Sequence, residues 1–139
     1  MLKRYLLSVA CVLSLIACGP RMPDSNVIEG SVSYREKILL PANAIVRVQL
    51  QDVAKQDVAA TQLSQVQFPA ETGPPYAFEL EYFPAQILPS GRYTLRATIT
   101  HEDRLLFTSD THIPAFQDGP IDIVVKRVRA PRPRPQYEE

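Results

Sequence analysis

A small antiparallel β-sandwich of about seven strands is the fold that this sequence predicts, and three observations predict it. Apolar and polar residues alternate at period two from Val27 to Val128. Turn residues break that alternation at roughly ten-residue intervals, the spacing of short sandwich strands. Within that span the one stretch that competes as a helix, residues 51–65, carries no continuous apolar stripe at helical spacing.

The first strand is expected over 28–35, through Val32 and Tyr34. Leu40-Pro41-Ala42-Asn43 then supplies a turn, and Ala44, Val46, Val48 and Leu50 form the inward row of the second strand. The third, over 60–68, has a fault: Leu63 is out of phase with Val66 and Phe68, which predicts a bulge or a kinked edge. Thr72-Gly73-Pro74-Pro75 leads into the fourth, where Tyr76, Phe78, Leu80 and Tyr82 alternate with Ala77, Glu79 and Glu81. Residues 83–88 suit one helical turn. Pro89-Ser90-Gly91 precedes the fifth strand, with Tyr93, Leu95, Ala97 and Ile99 on one face. His101-Glu102-Asp103 is a short polar hairpin loop into a sixth strand over 104–109. Asp118-Gly119-Pro120 introduces the last, through Ile121, Ile123 and Val125. Residues 51–65 lack proline, but their apolar spacing favours a loop followed by a strand over a helix. Gly30 inside a strand marks a bulge or a close backbone approach.

The amino terminus has a different character. Lys3 and Arg4 precede an apolar run that ends at Ala17. Its length fits a secretion signal and falls short of the roughly 20 residues that span a bilayer. Leu15-Ile16-Ala17-Cys18 resembles a lipobox. That resemblance implies alkylation of the Cys18 thiol by a diacylglycerol, cleavage between Ala17 and Cys18, and acylation of the new amine. Two or more acyl chains anchor a protein stably, so the membrane becomes a partner through lipid. Gly19 stands where an aspartate would retain such a protein in the inner membrane, and by resemblance to enterobacterial sorting signals this implies delivery to the outer membrane, with the domain facing the periplasm. The expected organisation is a removed leader over 1–17, a lipidated tether over 18–26 and a β-sandwich domain over 27–129. Residues 130–139, which alternate proline with charge, are expected to be an extended solvated tail.

Composition narrows the function. The chain has 139 residues with 15 basic and 15 acidic side chains, and two basic ones leave with the leader. That balance is no footprint for nucleic acid. Of two cysteines, Cys11 leaves and Cys18 is acylated, so the domain folds without a disulfide.

Several strings together resemble the YbaY/YscW family of lipoproteins: Gly30-Ser31-Val32-Ser33-Tyr34-Arg35-Glu36-Lys37-Ile38, Leu40-Pro41-Ala42-Asn43-Ala44 and Val48-Gln49-Leu50-Gln51-Asp52-Val53. Pro75-Tyr76-Ala77-Phe78-Glu79-Leu80, Tyr93-Thr94-Leu95-Arg96-Ala97 and Leu105-Leu106-Phe107-Thr108-Ser109-Asp110-Thr111 continue the likeness in order. The resemblance implies a β-sandwich lipoprotein. It also implies, as one version, a pilotin-like role toward a secretin of the outer membrane. It brings no catalytic motif.

The residues themselves point away from catalysis. There is no Gly-x-Ser-x-Gly elbow and no His-Glu-x-x-His pair. His101 sits in the hairpin loop beside Glu102 and Asp103, and His112 follows Asp110 near a strand end. They lack a ligand spacing, so no metal and no cofactor are expected. Asp52 and Asp57 read as turn residues. Binding without chemistry is the better class: a sandwich edge accepts an added strand, and an open end between sheets holds a helix. The glutamines Gln62, Gln65 and Gln67 make 60–68 a candidate edge. The partner expected from this reading is an envelope protein of secretin type, and the alternative is an envelope polysaccharide or small molecule.

Overall fold

A computed structural model describes residues 25–129. The leader, Cys18, most of the tether and the tail over 130–139 lie outside the described residues. Among the described residues there are eight strands: β1 (Asn26–Ser33), β2 (Ile45–Asp52), β3 (Thr61–Pro69), β4 (Tyr76–Tyr82), β5 (Tyr93–His101), β6 (Arg104–Thr108), β7 (Ile121–Val124) and β8 (Lys126–Arg127). A single 3₁₀ turn, Pro84–Gln86, occupies the place expected for one helical turn. The strands form a three-stranded sheet ordered β4-β1-β7 and a five-stranded sheet ordered β3-β2-β5-β6-β8.

The inward rows are those of the alternation. Ile28, Val32, Phe78, Leu80, Ile121 and Ile123 of the smaller sheet face Val46, Val48, Leu50, Leu95, Ile99 and Phe107 of the larger. Each such side chain contributes about 1.5–3 kcal/mol on burial. Tyr34 stacks on Phe107 with ring centroids 4.9 Å apart, closing the core where β1 ends. Burial pushes the buried Tyr76 phenol up to about 12, and the neighbouring Tyr34 hydroxyl acts in the same direction.

The phase fault in the third strand is a bulge. Gln51 pairs with Gln62 and Leu50 with Ser64, so Leu63 is the extra residue. The slip lets Leu63, Val66 and Phe68 all pack on the core from one strand.

The sandwich differs from expectation at its last strand. A continuous strand through Ile121, Ile123 and Val125 was the expectation, but the chain divides at Val125. β7 pairs parallel with β1, opposite Gly30 to Ser33. The Val125 N–H then donates to Ser33 O at 2.8 Å, and the chain crosses to the larger sheet, where β8 pairs with β6. Val125, 1% exposed, belongs to the core and lies where the chain leaves one sheet for the other. The count therefore rises to eight, and one pairing of the sandwich is parallel.

Gly30 answers to a close approach. A Cβ at this position would collide with the Ile121 backbone carbonyl and would lie 2.8 Å from the Phe78 ring. The ring covers the space that a side chain at position 30 would take.

Tyr93 pins the start of β5. Its hydroxyl accepts a hydrogen bond from the Leu88 N–H at 2.7 Å, clamping the turn through Ser90 and Gly91 as a tyrosine corner does. Asp52 accepts from the Ala54 and Arg92 N–H groups, so it is a turn residue as expected.

The β5–β6 hairpin turns on Glu102 and Asp103, with φ of 47° and 61°, between paired His101 and Arg104. Both central residues occupy the left-handed region that Asn-Gly fills without strain. Glu102→Asn combined with Asp103→Gly is expected to stabilise the domain by about 1 kcal/mol, raising the melting temperature by about 4–8 °C. Calorimetry of the pair against the parent checks this.

Candidate binding surfaces

The larger sheet has two edges, and they differ in chemistry. At one edge lies β3. The Ala70 N–H donates inward to Ala44 O at 2.8 Å. Alternation along an antiparallel strand then turns the backbone groups of Phe68 and Val66 inward, and those of Gln67 and Gln65 outward. Pro69 occupies an outward position, where its missing donor costs the ladder nothing. Among the described residues, the outward backbone groups of Gln65 and Gln67 thus have no strand partner. Their side chains join a surface network: Arg47 donates to Gln67 at 3.2 Å, and Gln49 donates to Gln62 at 2.6 Å. Beside this edge, a groove of about 460 Å³ separates β3 from β4, lined by Ser64, Gln65, Val66, Glu79, Glu81 and Phe83.

The opposite edge is basic. A groove of about 990 Å³ runs beside β6 and β8, and four of its lining side chains are Arg104, Lys126, Arg127 and Arg129. Lys126 hydrogen-bonds Asp110 at 2.7 Å, and that bond holds the Asp110 carboxyl below its ordinary range. Both groups are largely solvated, so the pair adds little stability. No other ion pair occurs among the described residues.

Strand alternation sorts the remaining charges by face. The outer face of the smaller sheet carries Glu29, Glu79, Glu81 and Asp122, while that of the larger sheet carries Arg47 and Arg96. Glu29 stands directly opposite Glu79 in the β1–β4 register, an unfavourable like-charge pair. A composition with balanced charge therefore conceals a polarised domain.

The third surface is the end where β1 begins. A cavity of about 510 Å³ is lined by Val27, Glu29, Tyr82, Phe116, Asp118 and their neighbours. Phe116 packs between Tyr82, at 5.2 Å, and Tyr93, at 5.6 Å.

The histidines do not converge. His101 ends β5 at the hairpin turn, whereas His112 adjoins Ile113, whose carbonyl accepts from Leu95 at the other end of that strand. About six residues of strand, on the order of 20 Å, lie between. Among the described residues no three His, Cys, Asp or Glu side chains gather as a metal site would require. Ala17 and Cys18 lie outside the described residues. The basic groove was not foreseen. Its signal is the run Lys126-Arg127-Val128-Arg129, whose charges meet Arg104 only through the β6–β8 pairing.

Residues 23–126 match the family described as type III secretion system lipoprotein chaperone (YscW). The chain belongs to the YscW family. Its sandwich is similar to the structure of an alternative pilotin from the type II secretion system of Vibrio cholerae, at 35% identity and a TM-score of 0.67. That match covers 76% of this chain and 100% of the pilotin chain. The chain is also 35% identical over 101 residues to an uncharacterised lipoprotein, YbaY, of Escherichia coli strain K12. It covers 72% of itself in that match but spans only about half, 53%, of the relative's length. A YscW-family sandwich with two unlike edges is thus the scaffold for any function.

Proposed function

We propose that this chain is a lipid-anchored envelope protein that docks or chaperones an outer-membrane protein of secretin type, without catalysis. The observation that carries this reading is the similarity to a pilotin along the whole of that pilotin's chain. Cys18 carries the acyl chains, the leader ends at Ala17, and the sandwich works from the periplasmic side of the outer membrane. The β3 edge receives the partner, through the outward backbone groups of Gln65 and Gln67 and the adjoining groove to β4.

The test is recovery of partners from detergent-solubilised envelopes with the lipidated protein. A secretin-type protein is expected in the eluate. Gln67→Pro removes an outward donor and is expected to cut recovery about tenfold, as loss of a docking contact of about 1.4 kcal/mol does. Gln67→Ala loses the Arg47 contact but keeps the donor, and recovery should persist. An eluate with no such partner, together with normal secretin assembly in a deletion strain, would overturn the reading.

The Tyr82–Phe116 cavity supports a second reading, a glycan or small-molecule site, because exposed aromatic faces suit apolar ligand surfaces. Calorimetry against cell-wall fragments separates the two; flat traces remove it.

A further inference from the structure

The basic groove beside β6 and β8 has three properties that specify an occupant. The first is charge. Arg104, Arg127 and Arg129 have no carboxylate partner among the described residues, yet they line one concavity with Lys126. Arginines gathered in one concavity with no carboxylate partner among the described residues select an anion. The second is an apolar floor. Leu105 and Val128 are 40% and 39% exposed and line the same groove, so a purely ionic ligand would leave them wet. The third is Glu36. Its Oε2 is buried in the groove wall with no hydrogen-bond partner among the described residues. A fully deprotonated anion such as sulfate would face that carboxylate with no proton to give. A ligand carrying both N–H donors and carboxylates satisfies the arginines and the orphaned acceptor together.

A polypeptide with alternating acidic and apolar residues has all three features. The edge geometry also suits it. β8 is only two residues long and is, among the described residues, the last strand of its sheet, so it presents a short edge to an added strand. We propose that this groove binds an extended acidic segment of a protein partner, in strand-like conformation, at a site separate from the β3 edge. The proposal rests on the reading of the chain as a protein-docking lipoprotein and names the chemistry of what is docked.

The probe is a synthetic decapeptide of alternating glutamate and valine, titrated into isotopically labelled protein running from Cys18 to Glu139 and followed by amide shifts. Saturable shifts confined to Arg104, Leu105, Leu106 and 126–129 are expected, with affinity falling several-fold between 50 and 200 mM salt, as screening of about 10 Å dictates. Arg104→Glu with Arg127→Glu should weaken binding at least about tenfold with an unchanged melting temperature, since both side chains are exposed. The same peptide with lysine for glutamate should not bind.

Shifts scattered over the surface, absence of saturation or indifference to the double reversal would overturn the proposal. Saturation by phosphatidylglycerol vesicles but not by peptide would also overturn it, by making the groove a lipid site. Should the peptide fail while envelope pull-downs still recover a partner sensitive to Gln67→Pro, this proposal falls and the docking reading stands.

Discussion

Gly30→Val is expected to remove at least about 3 kcal/mol of stability, a large share of the roughly 5–15 kcal/mol that holds such a domain together. The reason is positional. Gly30 pairs with Phe78 on one side and Ile121 on the other, in the middle strand of the smaller sheet. A Cβ there meets the Ile121 carbonyl, which is backbone and cannot swing aside, as well as the Phe78 ring. The ring can change rotamer only by vacating the core, where it is 4% exposed. Either the β1–β7 ladder opens or the core loses an aromatic side chain. Thermal unfolding should show a drop of about 10–20 °C, or failure to accumulate folded protein. Gly73→Ala is the control, because nothing lies within 4 Å of a Cβ there. Its melting temperature should stay within a few degrees. A Gly30→Val domain as stable as the parent would mean that β1 and β7 are not adjacent as described.

On the proposed lipid anchor, Cys18→Ala is expected to lower the membrane-bound fraction at least about tenfold, because the variant would carry no acyl chain and one or fewer chains bind only marginally. The folded domain should be untouched, since its core begins at Ile28. An uncleaved leader would itself hold a precursor at the membrane. The substitution is therefore read in a chain whose residues 1–17 are exchanged for a leader that an ordinary signal peptidase removes. Flotation of envelopes gives the result, and mass spectrometry of the amino terminus of the parent checks the acylation. If the variant with the exchanged leader still floats with membranes, the lipid-anchor proposal is wrong.

Much of the sandwich was legible because its strands are amphipathic. In β4, Tyr76, Phe78 and Leu80 alternate with exposed Ala77, Glu79 and Glu81, and the strand begins and ends where alternation says. Even the fault at Leu63 was readable, since a period-two pattern records a bulge as a slip of one. The crossing at Val125 was not. In sequence, Ile121, Ile123 and Val125 form one uninterrupted row, and nothing local tells a buried corner from a buried strand position. The parallel β1–β7 pairing was hidden for the same reason: partners some ninety residues apart leave no local mark. The surfaces divide likewise. The β3 edge announces itself through its glutamines, but the basic groove assembles arginines from β6 and the chain end, and only topology unites them. Tyr93 looked like one more inward residue, yet its hydroxyl reaches back to Leu88.

The position of β1 has a mechanical consequence. The chain enters the domain at this strand, and β1 is flanked on one side by antiparallel β4 and on the other by parallel β7. A pull applied at the amino terminus and directed along the strand axis acts across both rows of hydrogen bonds at once, in shear. An edge strand pulled outward would peel one bond at a time. Resistance to such a pull is set by the unfolding rate and not by the equilibrium stability. A domain tugged from its amino-terminal side while holding a partner therefore resists through the one strand of the smaller sheet that has neighbours on both sides.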